Sequence, residues 1–467
     1  MRASLLCLAI AAAAATGCAH YAATPIDVAA VAATRRAASL NETSVRAELS
    51  RLAPDYRWDG GWNTLSLFAA ARLSSPEIAA ARGNLDAARA EARAARVAPG
   101  PTLTLTAEYA FNPSEGSPWL VGAASDFLLD VGGRRKGRVE SADIAARAAE
   151  FDYAAALWKV RMKIRRALIA AAGARQAAML SEELVAIRNR QLAAAARRVA
   201  AGESSRVELD RVRADAAIAA QMQIMADAEA TAAVLDLAAA VGVAPAAIGA
   251  ARIDEQLLRA DASQAALTED DRIGALRIRT EILNAAAAYD QTETALRAAV
   301  ASQFPEVRLG PGFTWERGLS KLPFALSLTL PATDLGKASI RAAEARRLEA
   351  GQKLEAAVAA VVADIMRAEA DRRAAFAALD LVRSRTIPTA EAFARQADRE
   401  LGAGSINRAD WAAAQAGLAA SRLDEVAARR RAAEAEAALE DALRQPLSGS
   451  ELSIAAPHAQ PPNEDQQ

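Results

Sequence analysis

Two pairs of short segments in this chain alternate apolar with polar residues, and long Ala-rich segments separate the pairs. Alternation at every second position predicts strands with one apolar and one polar face. The first pair is predicted at about 101–111 and 119–131, and the second at about 305–316 and 322–332. The segment 119–131 alternates poorly. Each predicted strand is about 9–11 residues long, the length that a tilted strand needs to cross a bilayer.

The segments between these pairs have the pattern of unusually long helices. From Gly133 to Ala201 the sequence reads as helix nearly throughout, and at 1.5 Å per residue this helix would be about 100 Å long. Gly202 ends it, and a returning helix is predicted to about Val241. In the later half, Pro388 is expected to kink the corresponding helix before its glycine turn.

Landmarks of three kinds recur in the same order in the two halves of the chain, and this indicates a tandem duplication. The pairs are Pro99 and Pro305, Asp130-Val131-Gly132 and Asp334-Leu335-Gly336, and Ala201-Gly202-Glu203 and Ala403-Gly404-Ser405. Their separations are 206, 204 and 202 residues. The repeats are predicted at 75–242 and 273–445, joined by a segment at 243–272.

Helix-start signals open both repeats. Ser75 followed by Pro76 is an N-cap with proline at the first helical position. Thr268 with Asp271 three residues later forms a capping box at the equivalent start. The predicted fold is therefore mainly α with a small β portion, in which a helix-strand-strand-long helix-helix unit occurs twice.

Composition argues against cofactor chemistry and nucleic-acid binding. Of the 467 residues, 52% are hydrophobic but only 4% are aromatic. This composition is typical of helices that pack closely through small side chains. The 56 basic and 57 acidic residues nearly balance, so no field would attract a polyanion. With two His and two Cys, we expect no metal site, no cofactor and no catalytic residues.

The N-terminus has the features of a targeting signal. Residues 1–17 combine a basic start with an apolar core, and Ala15-Thr16-Gly17-Cys18 resembles a lipoprotein cleavage site, with Ala15 where Leu is usual. We expect Cys18 to be the lipidated first residue of the mature chain and 18–74 to be a lipidated N-terminal segment. The alternative is an ordinary secretory signal cleaved nearby. At the other end, the Pro-rich polar tail 446–467 is predicted to be disordered.

Aromatic residues mark the hairpin ends of the predicted strands. They are Tyr109, Phe111, Trp119, Phe313, Trp315 and Phe324. This placement is typical of an aromatic girdle at a membrane interface, and the polar partners include Glu108, Glu306 and Arg308, which suit a wet lumen. The alternative is two half-buried hairpins packed on the helices, with the aromatics as core.

Four strands cannot close a membrane barrel, and an open sheet edge in lipid is forbidden. Spanning strands would therefore require oligomerisation. Two copies give eight strands, whose interior side chains fill, whereas three copies give twelve, which is compatible with an aqueous passage.

Over about residues 60–446 the chain resembles the outer-membrane efflux proteins of the TolC type. The resemblance rests on the duplicated order, the lipoprotein start, Ser75-Pro76-Glu77-Ile78, Pro99, Phe304-Pro305, Asp130-Val131-Gly132-Gly133-Arg134-Arg135 and the Ala-Gly pairs at both turns. It implies a homotrimer with a 12-stranded β-barrel in outer-membrane lipid and an α-barrel through the periplasm. It also implies docking on a periplasmic adaptor and an inner-membrane transporter, for export of drugs, metal ions or proteins.

The resemblance also assigns residues. It makes the turns Ala201-Gly202-Glu203 and Ala403-Gly404-Ser405 the periplasmic tips, where an adaptor binds, and matches the acidic aperture to Asp410, with Glu208 equivalent in the first repeat. Alternatively, Asp410 and Glu208 are first-turn residues that support helix dipoles. The segment Pro331 to Ile340 resembles the heavy-metal cation branch but departs from it at Leu335-Gly336-Lys337-Ala338.

Two other functions are alternatives to a passive export duct. A periplasmic coiled-coil adaptor or scaffolding lipoprotein would contain a single helical hairpin, whereas this sequence predicts two equivalent hairpins. An enzyme is disfavoured because the sequence has no Gly-rich phosphate loop, nucleophile elbow or His/carboxylate cluster.

Overall fold

The computed structural model describes residues 21–111, 117–130, 132–254, 258, 267–316 and 318–447. The expected signal sequence and Cys18, and nearly all of the tail, lie outside these residues. The helices are α1 (Val28–Arg36), α2 (Glu42–Leu52), α3 (Thr64–Ser74), α4 (Pro76–Ala95), α5 (Arg134–Ala200), α6 (Arg206–Val241), α7 (Pro245–Gly249), α8 (Glu269–Ile278), α9 (Thr280–Ala301), α10 (Lys337–Leu381), α11 (Ile387–Gly402) and α12 (Arg408–Leu443). The strands are β1 (Thr102–Tyr109), β2 (Trp119–Leu129), β3 (Glu306–Glu316), β4 (Leu319–Lys321) and β5 (Phe324–Thr329).

The longest helix, α5, has 67 residues and is about 100 Å long. Asp130 caps its start, since the carboxylate accepts the backbone N–H of Arg134 at 2.8 Å and of Arg135 at 3.0 Å. Asp334 does the same for the second long helix by accepting the N–H of Ala338 at 3.0 Å. The mainly helical, duplicated fold class predicted from the sequence is confirmed.

The long helices form one layer rather than a bundle around a central core. From one edge to the other the order near the glycine turns is α6, α5, α12 and α10/α11, and near the sheet it is α4, α5, α9 and α10. Among the described residues α6 has no contact with α10 or α11. Both edges of the layer are therefore open in the single chain.

Pro388 acts differently from the simple kink that the sequence predicted. The helix widens into a π-helical turn at Val382–Thr386 and continues directly into α11. Pro388 has no N–H to donate to the preceding turn, and a π-helical turn is one way to accommodate the missing bond.

The N-terminal segment belongs to the folded body. Trp58, Trp62, Leu65 and Leu67 are buried in the largest apolar cluster, together with residues of α5 and α6. The two Trp rings meet edge to face with centroids 4.9 Å apart. Residues that were expected only to carry a lipid anchor thus pack against the long helices of the first repeat.

The strands form one antiparallel sheet in the order β1-β2-β3, with β4 and β5 both paired to β3. β4 occupies residues expected to be a loop, and it shares one register with β5, so the two are a single strand interrupted at Leu322 and Pro323. Pro311 lies inside β3 and causes no bulge, and β3 is paired on both sides. Pairing of β2 with β3 merely lapses beside Pro311 and resumes without a shift, because proline lacks a ladder donor.

No helix of the described residues packs against either face of this sheet. The alternative of half-buried hairpins resting on the helices is therefore wrong. Among the described residues, none of the helices combines the length and the apolar character that crossing a membrane requires.

Candidate functional site

The register divides the sheet into two chemically different faces. One face carries Leu103, Leu105, Ala107, Tyr109, Trp119, Val121, Ala123, Ser125, Phe127, Leu129, Val307, Leu309, Pro311, Phe313, Trp315, Ser320, Phe324, Leu326 and Leu328. We call it the apolar face, since only Ser125 and Ser320 interrupt it. The opposite side, the polar face, holds all six charged side chains of the strands, which are Glu108, Asp126, Glu306, Arg308, Glu316 and Lys321.

The register also explains why β2 alternated poorly in the sequence. Val121, Phe127 and Leu129 share the apolar face with their partners on β3, whereas Leu120, Gly122, Ala124 and Leu128 lie on the polar face beside Asp126. The alternation is hard to see in the sequence, because two of these residues are apolar and two are small.

The polar face is the concave one. A Cβ at Gly312 would lie 3.3 Å from the Ala124 Cβ, and a Cβ at Gly310 would lie 3.3 Å from the Ala325 Cβ. Facing Cβ atoms on a flat sheet are usually about 4.5–5.5 Å apart. Side chains are crowded on the inside of a bend, so the sheet curves toward its charged face and turns its apolar face outward.

Ion pairs join the charges of the concave face. Arg308 lies 2.8 Å from Glu306 on its own strand and 3.5 Å from Asp126 on β2. Arg134, the first residue of α5, reaches Glu306 at 2.9 Å. Four carboxylates and two basic side chains leave the strands with a net acidic inner surface.

The aromatic residues assigned to a girdle lie on the apolar face or next to it. The ring of Tyr109 meets Trp119 at a centroid distance of 4.9 Å and Phe111, just beyond β1, at 5.5 Å. Phe313 and Trp315 follow on β3. Phe324 lies farther from the hairpin end than predicted, because β4 pairs before it and aligns Phe324 with Pro311.

The two glycine turns have matching geometry. Gly202 has a φ of +77° and Gly404 a φ of +72°, a left-handed conformation that glycine adopts without strain. The amide of Glu203 donates to the Arg198 carbonyl at 2.8 Å, and that of Ser405 donates to the Glu400 carbonyl at 2.9 Å. Both turns therefore end their helices in the same way.

The acidic residues predicted at the aperture lie in the first turn of the returning helices. Asp410 is exposed, and its carboxylate accepts the side-chain amide of Asn407 at 2.5 Å. Glu208 is half-buried and accepts the hydroxyl of Ser204 at 2.6 Å, with Arg198 at 3.7 Å. The side chains of Ser205 and Asn407 cap these helices by accepting backbone N–H groups of the first turn, so the caps do not depend on either acidic side chain.

Two side-chain clusters were not predicted from the sequence. Asp398 on α11 accepts the indole N–H of Trp411 at 2.6 Å and the amide of Gln415 at 2.9 Å, which joins both arms of the second hairpin near its turn. Deeper in the layer, Glu440 is completely buried between Arg161 and Arg165. Neither pairing follows from residue spacing, since each joins separate helices.

Among the described residues, no group of three or more His, Cys, Asp or Glu is placed to hold a metal ion. Cys18 lies outside them.

Comparisons with known proteins agree with this geometry. The model of the outer membrane efflux protein family matches residues 67–243 and 274–443. Among solved structures, the outer membrane protein VceC of Vibrio cholerae is 19% identical with a TM-score of 0.67, and the match covers 82% of this chain and 97% of that one. The open-state outer membrane channel MtrE of Neisseria gonorrhoeae is 20% identical with a TM-score of 0.67, covering 88% and 94%. CusC, described for its transmembrane channel formation, is 17% identical with a TM-score of 0.65, covering 84% and 99%. No curated protein matches the sequence.

Proposed function

Because the chain belongs to the outer membrane efflux protein family, we propose that three copies form a channel-tunnel, a passive export duct for small molecules or metal cations. The observation that carries this proposal is that all six charged side chains of the sheet lie on one face, and the close approaches at Gly310 and Gly312 indicate that the sheet curves toward that face. A barrel closed from such sheets is wet inside and apolar outside, as a membrane pore requires.

The open edges of the sheet supply the reason for three copies. β1 at one edge and β4/β5 at the other have no partner among the described residues, and unpaired strand edges are not tolerated in lipid. With β4 and β5 counted as one, each chain contributes four strands. Three chains then give twelve, a number compatible with an aqueous passage.

The helical layer has open edges at the same places. Large apolar side chains are exposed on α6, including Ile218 (56%) and Met225 (65%), and on α10 and α11, including Met366 (64%) and Phe393 (64%). A neighbouring copy would cover them by placing its α6 edge against the α10/α11 edge. In three copies the four-helix layer then closes into a twelve-helix tube that continues the barrel into the periplasm.

The glycine turns would form the far end of this tube. Their exposed backbone at 201–203 and 403–405 is the docking surface in this proposal, occupied by a periplasmic adaptor that recruits an inner-membrane transporter. Three exposed Asp410 carboxylates converging on the axis would form an acidic aperture that favours cations. Glu208 has a supporting place beside it.

Planar-bilayer recording of the purified full chain tests the duct. We expect discrete conductance steps with cation preference, and a weaker preference in Asp410→Ala. Glu203→Ala, which removes an exposed carboxylate from the turn of the other hairpin, is the matched control and should change selectivity less. Absence of any conductance, together with a monomer in detergent, would instead support a scaffolding lipoprotein.

The lipid anchor at Cys18 is a separate part of the proposal. It would hold the N-terminal segment at the membrane that the sheet enters. Metabolic labelling with palmitate should mark the wild-type chain and not Cys18→Ser. Labelling that survives the substitution would remove the anchor from the proposal and leave the channel untouched.

A further inference from the structure

A basic cleft opens directly beneath the sheet, beside the first turns of α5. Its volume is about 600 Å³, and Lys136 and Arg147 of α5 line it together with Arg297 of α9. Several other charged groups at the cleft already have partners. Arg297 pairs with Glu140 at 2.7 Å, Asp143 pairs with Arg96 at 2.8 Å, and Asp130 accepts backbone amides.

Lys136 and Arg147 differ from these neighbours. Neither forms an ion pair or a side-chain hydrogen bond with any residue that the structure describes, and both are exposed. Arg135, the remaining basic group at the cleft, donates to the Arg96 carbonyl at 2.7 Å. Two positive charges thus remain available in a cleft whose carboxylates are occupied.

The geometry of α5 places this cleft on the outer side of the wall. Arg134 points to Glu306 on the concave face. With 3.6 residues per turn, positions 136, 140, 143 and 147 lie roughly 180–240° around the helix from position 134. The cleft therefore opens on the convex side, below the apolar face, where Phe127 (45%) and Leu129 (41%) are exposed at the lower end of β2.

We propose that this cleft binds the phosphate of an anionic phospholipid in the leaflet nearest the helices. The inference rests on the proposed function, because it requires that the apolar face lie in the membrane. The acyl chains would then contact the apolar face. Lys136, nearer the sheet, would bind the phosphate, and Arg147, about 16 Å farther along α5, would add its positive charge below the headgroup, as basic side chains do next to membrane-spanning segments.

The second repeat lacks basic residues at the corresponding positions. The capping residues Asp130 and Asp334 align Lys136 with Ile340 and Arg147 with Gly351, and the left-handed Gly133 and Gly336 align them with Ser339 and Ala350. The basic residues that open α10 are instead Lys337 and Arg341. Each chain therefore has one such lipid site, and a trimer has three.

The test uses the full chain in nanodiscs of phosphatidylcholine with or without phosphatidylglycerol, with bound lipid measured by native mass spectrometry. We expect wild-type protein to retain phosphatidylglycerol, and K136A/R147A to bind it roughly 30-fold more weakly, the effect of two basic contacts at a membrane surface. K337A/R341A removes the same charge from the start of the other long helix and should retain the wild-type preference.

Three outcomes would overturn the assignment. They are equal retention by K136A/R147A, equal loss in K337A/R341A, and displacement of the lipid by millimolar inorganic phosphate, which would indicate a free-anion site. Bilayer conductance of the same samples separates the two proposals. Channels without a phosphatidylglycerol preference refute the lipid site alone, whereas wild-type protein without channels refutes the proposed function.

Discussion

Arg430 of α12 crosses Gly173 of α5 so closely that a Cβ at Gly173 would lie 2.9 Å from the Arg430 Cδ atom. The guanidinium continues to Glu229 of α6 at 2.5 Å. One side chain thus links three helices of the layer, and it does so across the boundary between the two predicted repeats. Gly173 provides the space for this crossing.

Gly173→Ala should lower the free energy of unfolding by about 1–2 kcal/mol, because overpacking costs more than the helix propensity that Ala adds. Gly83→Ala is the matched control. Gly83 lies inside α4 with no atom near its absent Cβ, so Ala there should add about 0.5–1 kcal/mol. Chemical denaturation in detergent measures both. Equal stabilisation by the two substitutions would show that Arg430 moves aside freely.

Glu440→Gln should be among the most destabilising single substitutions in the helical layer. Glu440 is fully buried, 2.8 Å from Arg165 and 3.4 Å from Arg161, and its other oxygen accepts the Leu447 amide at 3.0 Å. Removing its charge weakens the buried ion pairs with both guanidinium groups, at a cost of about 3–5 kcal/mol.

The control for Glu440 is Glu434→Gln on the same helix. Glu434 lies 3.5 Å from Arg430 but is 49% exposed, so its loss should cost less than about 1 kcal/mol. Denaturation midpoints of the two variants give the comparison. Similar midpoints would mean that the buried cluster relaxes or hydrates when its charge is removed.

Gly312→Val should impair formation of the curved sheet. Its first added carbon would lie 3.3 Å from the Ala123 carbonyl oxygen, the Ala124 Cβ and the Pro323 Cγ, so the sheet must flatten to accommodate it. We expect several-fold less protein in the outer-membrane fraction. Ala107→Val on the convex apolar face adds two carbons where Gly312→Val adds three, and it should be tolerated. A matching loss there would argue against the assigned curvature.

Asp334 should make the stability of the second strand-to-helix junction depend on pH. The amides of Ala338 and then Gly336 donate to its carboxylate and hold its pKa below the ordinary 3.8. A carboxyl whose pKa is lower in the folded state stabilises the protein above the unfolded-state pKa, and this contribution is lost as the pH falls through the lowered folded-state value.

Thermal denaturation of wild type and Asp334→Ala at several pH values measures this effect. The difference in midpoint should be constant near neutral pH and should shrink as the pH falls below about 3.8. Asp380→Ala, an exposed position in α10, supplies the baseline. A difference between wild type and Asp334→Ala that persists unchanged in acid would assign the effect to the packing of residue 334 rather than to its charge.

The sequence predicted the parts of this fold that repeat a period. The long helices, their glycine ends and three of the four alternating strands follow from local patterns, because propensity and capping act within a few residues. It did not predict the core built by Trp58 and Trp62 or the cluster around Glu440. Such contacts join residues far apart in the chain, and no local spacing encodes them.

The candidate site divides in the same way. The charged face of β3 could be predicted from Glu306 and Arg308. Its continuation across Gly122 and Ala124 of β2 became visible only from the pairing of the strands. The curvature depended on distances between glycine positions and their neighbours on adjacent strands. Position 136 carries no recognisable motif, and only the rotation of α5 relative to Arg134 places Lys136 on the outer side.

The largest apolar cluster draws only on residues between Leu40 and Ile253. A chain that emerges N-terminus first has therefore synthesised this entire cluster before the second half appears. The first half then offers a template, since α5, which later receives α9 and α12, already packs against α3 and α6. If the first half folds before the second half docks on it, the two similar halves do not compete for the same partners.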